Sequence, residues 1–172
     1  MTRYQLAKLV QWAGKLQTRK RLQKVTYLLR VAGCPWNDEF GLHHFGPYSA
    51  EVAQRADEMT SLGLLEEECV GNPARQQYNY TLTDDARRQL TSLEATPAGQ
   101  AGARELAPYD ERARELLKTD VRELEVAATI VYFRQQGSAW PQAVERTCNF
   151  KGLKPQDSLV GRAEALAHRI YE

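Results

Sequence analysis

Apolar residues return with a helical period through most of the N-terminal half of the chain. Residues 4–12 place Leu6, Leu9 and Val10 on one stripe, extended by Ala13, which predicts a short amphipathic helix broken at Gly14. Residues 19–32 repeat the pattern with Leu22, Val25, Tyr27, Leu28, Leu29 and Val31. Thr18 suits the N-cap of that second helix, Gly33 supplies its stop, and Pro35 prevents continuation. "DEFGLHHF" alternates enough to predict an extended segment, and "GPYS" a turn opening a third helix over 48–62 that buries Val52, Ala56, Met59 and Leu62. After Gly63 the period shortens. "LLEEECV" and "QYNYTLT" predict two strands of a hairpin, joined by the turn-rich "GNPARQ". "TDDARRQL" then starts a fourth helix, with Thr83 as its cap and Asp84 and Asp85 in the first turn, where carboxylates complement the helix dipole.

Residues 94–107, "EATPAGQAGARELA", are rich in Ala, Gly and Pro and are expected as a linker or long loop. A charged helix follows over 108–118, with Pro108 acceptable in its first turn. "DVRELEVAATIVYFRQQG" is apolar nearly all round at Leu124, Val126, Ala127, Ile130, Val131 and Phe133. Such a helix belongs in an interior, either under the N-terminal domain or against a second subunit, where it would be a homodimer seam. Helices near 141–148 and 156–171 complete the tail. The predicted fold is mainly α with a small β-hairpin (α+β): a winged helix-turn-helix-like domain over 1–93 and a helical C-terminal extension over 108–172.

With 42% apolar and 26% charged residues, the 172-residue composition is that of a globular chain, not a disordered one. No apolar run reaches the ~18 residues of a membrane span, and the first residues lack the hydrophobic core of a secretory leader. Three scattered cysteines, Cys34, Cys69 and Cys148, form neither a disulfide framework nor a zinc pattern. A cytoplasmic location is expected.

Charge divides the chain into blocks. Residues 1–37 hold eight Lys/Arg and no Asp or Glu, whereas residues 38–93 hold four basic and ten acidic side chains. That segregation predicts a face suited to anions and a face suited to cationic partners.

Site chemistry adds few enzyme signals. His43 and His44 are adjacent, so on an extended segment they point to opposite faces, and His168 is the only other histidine. No metal and no cofactor is expected. Ser49 is outside any G-x-S-x-G elbow, Cys34 has no evident base, and no phosphate-binding glycine loop is present. Glu66, Glu67 and Glu68 suit an edge strand that resists pairing with another sheet. Gly46, Pro47 and Tyr48 suit a fixed turn into the third helix.

The stretches "KRLQKVTYLLR", "LHHFGPYSAEVAQRADEMTSLGLLEE" and "YTLT" resemble the YwgA-like prokaryotic proteins, whose signature runs "RLQKLVYLLQ" followed by "HGPYS". More distantly the chain is similar to the Panacea/SocA-type antitoxin domain. The resemblance covers approximately residues 19–93; Phe45 departs from it, standing where the family often has tyrosine or histidine. It implies a winged-helix-like module found near mobile elements and antiviral defence genes, acting by binding rather than catalysis.

Two functional expectations follow. In the first, the protein is a non-enzymatic regulator that contacts nucleic-acid phosphates through Lys15, Arg19, Lys20, Arg21 and Lys24, with Lys20, Arg21 and Lys24 on one exposed side, and Arg75 at the wing tip. In the second, it is an antitoxin-like or adaptor module whose third helix, through Tyr48, Glu51, Arg55, Asp57 and Glu58, engages a basic protein partner. The acidity of that helix opposes its insertion into a DNA groove.

Overall fold

A hydroxyl opens each helix of the N-terminal half by accepting one of the backbone N–H groups that a first turn leaves unsatisfied. Thr2, Thr18, Ser49 and Thr83 accept from Gln5, Arg21, Val52 and Ala86, starting α1 (Arg3–Ala13), α2 (Arg19–Val31), α3 (Ala50–Ser61) and α4 (Asp84–Glu94). The structure, a computed structural model, describes residues 1–72 and 76–171. Arg75, expected at the wing tip, lies outside the described residues.

The antiparallel strands β3 (Leu65–Val70) and β4 (Gln77–Leu82) pair from Leu65 opposite Leu82 to Val70 opposite Gln77. Leu16, between α1 and α2, joins their edge: its N–H donates to the Tyr80 carbonyl and its carbonyl accepts from the Tyr80 N–H, both at 2.9 Å.

Between α2 and α3 the structure differs from the expected single extended segment and turn. It forms a second antiparallel hairpin, β1 (Gly41–His43) with β2 (Gly46–Tyr48), and "GPY" is its return strand. Pro47 is tolerated because a two-stranded ribbon leaves edges on which no N–H is needed. Leu62 is a second difference, 54% exposed instead of buried. The helix ends before it, and Gly63 turns the chain at φ +68° so that Leu64 packs against the core in its place.

The Ala/Gly/Pro-rich segment is a helix, α5 (Pro97–Leu106), rather than a linker. Thr96 caps it by accepting from Gly99, and Pro97 occupies its first turn, where no N–H is required. Gly99 is there for close approach to α4, since a Cβ at that position would lie 1.9 Å from the Leu93 carbonyl oxygen. A 3₁₀ turn (Ala107–Tyr109) leads into α6 (Asp110–Lys118), α7 (Val121–Gln135), α8 (Trp140–Lys151) and α9 (Ser158–Tyr171).

The α7 helix is the centre of the molecule. It packs against α8 and α9 on one side and against α2 and β2 on the other. Leu124, Ala127, Ala128, Ile130 and Val131 have no exposed surface, and Phe133 keeps 6%. The faces expected to form a subunit seam are therefore already covered within the chain, and at roughly 1.5–3 kcal/mol for each large side chain buried they are a principal source of its stability. One apolar cluster runs from Leu6 to Ile170, so the C-terminal helices complete the same core as the N-terminal ones.

Candidate ligand pocket

The two stretches that carry the family resemblance, "RLQK" on α2 and "GPYS" on β2, are bound to each other. The Gln23 amide donates to the Ser49 carbonyl at 2.9 Å and accepts from the Ser49 N–H at 2.8 Å, a closed pair away from solvent. One residue on, Lys24 Nζ donates to the Pro47 carbonyl at 2.6 Å. Gly46 allows this approach twice over. Its φ of +91° favours glycine, and a Cβ would sit 2.5 Å from Thr129 Oγ1 of α7. The Ser49 hydroxyl meanwhile caps α3 by accepting from Val52.

Beside this junction lies a cavity of about 340 Å³. Its apolar walls come from Leu22, Ala53, Ala56 and Tyr80, and its mouth from the β1–β2 hairpin. The His43 and Tyr48 rings pack together there with centroids 4.8 Å apart. Phe45, 47% exposed, covers the Lys20 ammonium at 3.6 Å from its ring centroid. The volume falls at the lower end of the ~300–1,000 Å³ of small-molecule sites.

Three lysines gather near one carboxylate beside this cavity. Glu125 of α7 takes Lys151 Nζ at 3.1 Å on one oxygen and Lys20 Nζ at 3.4 Å on the other. Lys24, 2% exposed, has no carboxylate within ion-pair distance among the described residues. Burial pushes its pKa down to about 7; Lys151 and Lys20 add to the fall, and Glu125 opposes it. His44 and Phe45 separate the cavity from a second one, of about 250 Å³, and it is this second one that Glu125 and Lys151 line.

The chain is similar to YwgA. This is the Bacillus subtilis (strain 168) protein named "Uncharacterized protein YwgA", 28% identical over 128 residues that cover 74% of this chain and 72% of the relative. No protein-family model matches the sequence. The YwgA name carries no activity, so function rests on the geometry.

That geometry redistributes the basic residues expected to meet nucleic acid. Lys15 pairs with Glu68 at 2.5 Å. Arg19 pairs with Glu67 at 2.6 Å and Asp57 at 3.6 Å, and its guanidinium also lies over the Tyr78 ring. Arg21 is half-buried, its Nη1 donating to the Leu117 and Thr119 carbonyls at the end of α6. Lys24 is buried, so Lys20, Arg21 and Lys24 do not form one exposed side. The basic N-terminal block and the acidic strand β3 are thus complementary within the molecule. Like-charged blocks in sequence become mixed charge in space.

The third helix is compensated in the same way. Glu58 takes both Arg3 and Arg55, Asp57 takes Arg19, and Glu51 accepts the Glu39 N–H at 3.2 Å. Arg55 also reaches the Met1 carbonyl. Tyr48 lines the cavity instead of an outer face. His168 stacks on Trp140 with centroids 3.7 Å apart, away from the histidine pair in sequence and in its contacts. No group of three or more His, Cys, Asp or Glu among the described residues is placed to hold a metal ion. Cys34 is held as a thiol, burial pushing its pKa up to about 12.

Sequence reasoning missed Glu125, Lys151 and Gln23 as parts of one site. For Lys24 a signal was present: it lies one turn before Tyr27 and Leu28, both on the apolar side of the helix. For Glu125 and Lys151 there was none, because only the fold brings α7 and α8 to α2.

Proposed function

We propose that this chain is a non-enzymatic regulatory protein of winged-helix type that acts by binding, with the cavity between α2, α3 and the β1–β2 hairpin as its recognition site. The observation that carries the reading is the buried Lys24 lining a largely apolar cavity assembled by both resemblance motifs. A strongly perturbed titratable group in a formed pocket is a candidate functional site. The winged-helix type is supported by element order: α1, the Leu16 bridge to Tyr80, α2, α3, then the β3–β4 hairpin and α4. Binding rather than catalysis is supported by the neighbours. Ser49 is a buried helix cap, Cys34 is a protonated thiol, and neither meets a base with an orienting partner.

The test is a thermal-shift and NMR screen of the full chain against a metabolite library, repeated with Ala53→Trp, which fills the cavity. Ligands that stabilise the wild type and are lost in Ala53→Trp are expected. Hits that bind both proteins equally would sink the reading, as would a library without hits.

A second reading keeps nucleic acid as the partner. It is favoured by the exposure of Lys15, Arg19 and Lys20, at 48%, 51% and 44% of their side chains, which lets a phosphate compete with Glu68, Glu67 and Glu125. It predicts duplex binding that weakens steeply with salt and disappears in Lys15→Glu/Arg19→Glu. Lys24→Glu is the wrong probe, since it places a carboxylate in the core.

A further inference from the structure

The lysine cluster beside the cavity is unbalanced. Lys20, Lys24 and Lys151 share one carboxylate, Glu125, which is 15% exposed. With all three lysines charged, two positive charges are left uncompensated, and while the Lys20 side chain is 44% exposed, Lys24 and Lys151 are largely withdrawn from water. Such an excess is costly unless an anion joins it or a proton leaves. Lys24 donates to the Pro47 carbonyl alone, so an ammonium there has two further protons to give. The same cavity carries aromatic rings, with the His43–Tyr48 pair on the hairpin and Phe45 over Lys20.

Resting on the pocket reading above, we propose that the cavity binds a small phosphate monoester carried on a flat aromatic group, of the nucleoside monophosphate class. The phosphate is received by Lys20 and Lys24, with Lys151 facing the adjoining cavity, and the ring lies against His43 and Tyr48. Charge selects this class over a carboxylate ligand, because a phosphate monoester brings about two negative charges at neutral pH and so matches the cluster's excess of two, part of which Lys151 supplies from the adjoining cavity. Size selects a monophosphate over longer chains, because the cavity is near the lower limit for a small-molecule site. The lowered pKa of Lys24 agrees with this assignment, since a bound dianion would favour its charged form.

The experiment is calorimetric titration of the full chain with adenosine monophosphate, adenosine and inorganic phosphate, in the wild type, Lys20→Gln, Lys151→Gln and Ala53→Trp. Lys20→Gln alters the exposed edge of the cluster and Lys151→Gln the adjoining cavity, both sparing Lys24, and their melting temperatures verify folding. The monophosphate is expected to bind more tightly than either fragment. Lys20→Gln is expected to weaken it by about tenfold or more, as loss of a charge-assisted hydrogen bond does, and Lys151→Gln to weaken it less, by removing one nearby charge, each leaving adenosine unchanged. Equal binding of adenosine and its monophosphate, with no response to the lysine variants, overturns the phosphate assignment. If that binding is lost in Ala53→Trp, the pocket itself still stands. Absence of binding by all three probes also overturns the proposal, while library hits lost in Ala53→Trp would show that the pocket takes another chemistry.

Discussion

Lys24 shows how far one side chain departs from its usual role when a helix is enclosed. Every residue from Leu22 to Leu29 is buried, so α2 has no solvent side along that span. A basic residue in an amphipathic pattern predicts exposure, and the rule fails here because α3, α6, α7 and β2 all pack around α2. The burial has a pH signature of definite sign. The folded pKa of Lys24, about 7, is below its ordinary 10.5, so the unfolded chain holds the proton more tightly. Its contribution to stability is therefore present above pH 10.5 and is lost as pH falls from there through 7. The groups facing it are Glu125 on α7, Lys151 on α8, Lys20 on α2 and the Pro47 carbonyl on β2. Cys34 acts oppositely: its raised pKa gives stability present below its unfolded value of about 8.5–9 and lost above it. Urea denaturation of wild type and Lys24→Met between pH 6.5 and 9.5 separates the two. The mutant-minus-wild-type stability difference is expected to shrink as pH rises. A difference constant across that range would show that Lys24 titrates normally.

At the scale of elements, capping and periodicity made most helices legible. Thr18, Ser49 and Thr83 start the helices that the sequence placed after them, and the β3–β4 hairpin lies where alternation put it. Elements specified by contact rather than by pattern were hidden. The β1–β2 hairpin depends on Gly46 meeting Thr129, a residue far along the chain. The α5 helix was hidden by its own composition, since glycine suggests flexibility when its position is unknown. Here Gly99 is needed because α4 and α5 touch. Gly99→Ala, which in an exposed helix would stabilise by about 0.4–1 kcal/mol, is expected to lower the denaturation midpoint instead. A raised midpoint would mean that the α4–α5 contact is looser than described. The pocket was half legible: its α2 and β2 components stand in the two quoted motifs, and the α7 and α8 residues beside it carry no local mark.

For the whole molecule, the division at residues 94–107 into a domain and a tail gives way to one core with α7 at its middle. The N-terminal elements depend on the C-terminal ones through named contacts. Arg21 holds the end of α6, Tyr27 donates to Gln135 at 2.8 Å, and Gly46 fits beneath Thr129. A fragment of residues 1–96, although it contains every strand among the described residues, is expected to lack a cooperative unfolding transition and to bind a hydrophobic dye. A dispersed amide spectrum with a sharp transition would show instead that this part folds alone.

The Tyr27–Gln135 contact also sets a schedule during synthesis. It joins positions 108 residues apart, and at about 5–20 residues per second the ribosome delivers the second on the order of 5–20 s after the first. Throughout that interval α2 has emerged without the helix that covers it. Its apolar flank is then open to chaperones or to neighbouring nascent chains, so the yield of this protein in a cell depends on what shields one helix until α7 arrives.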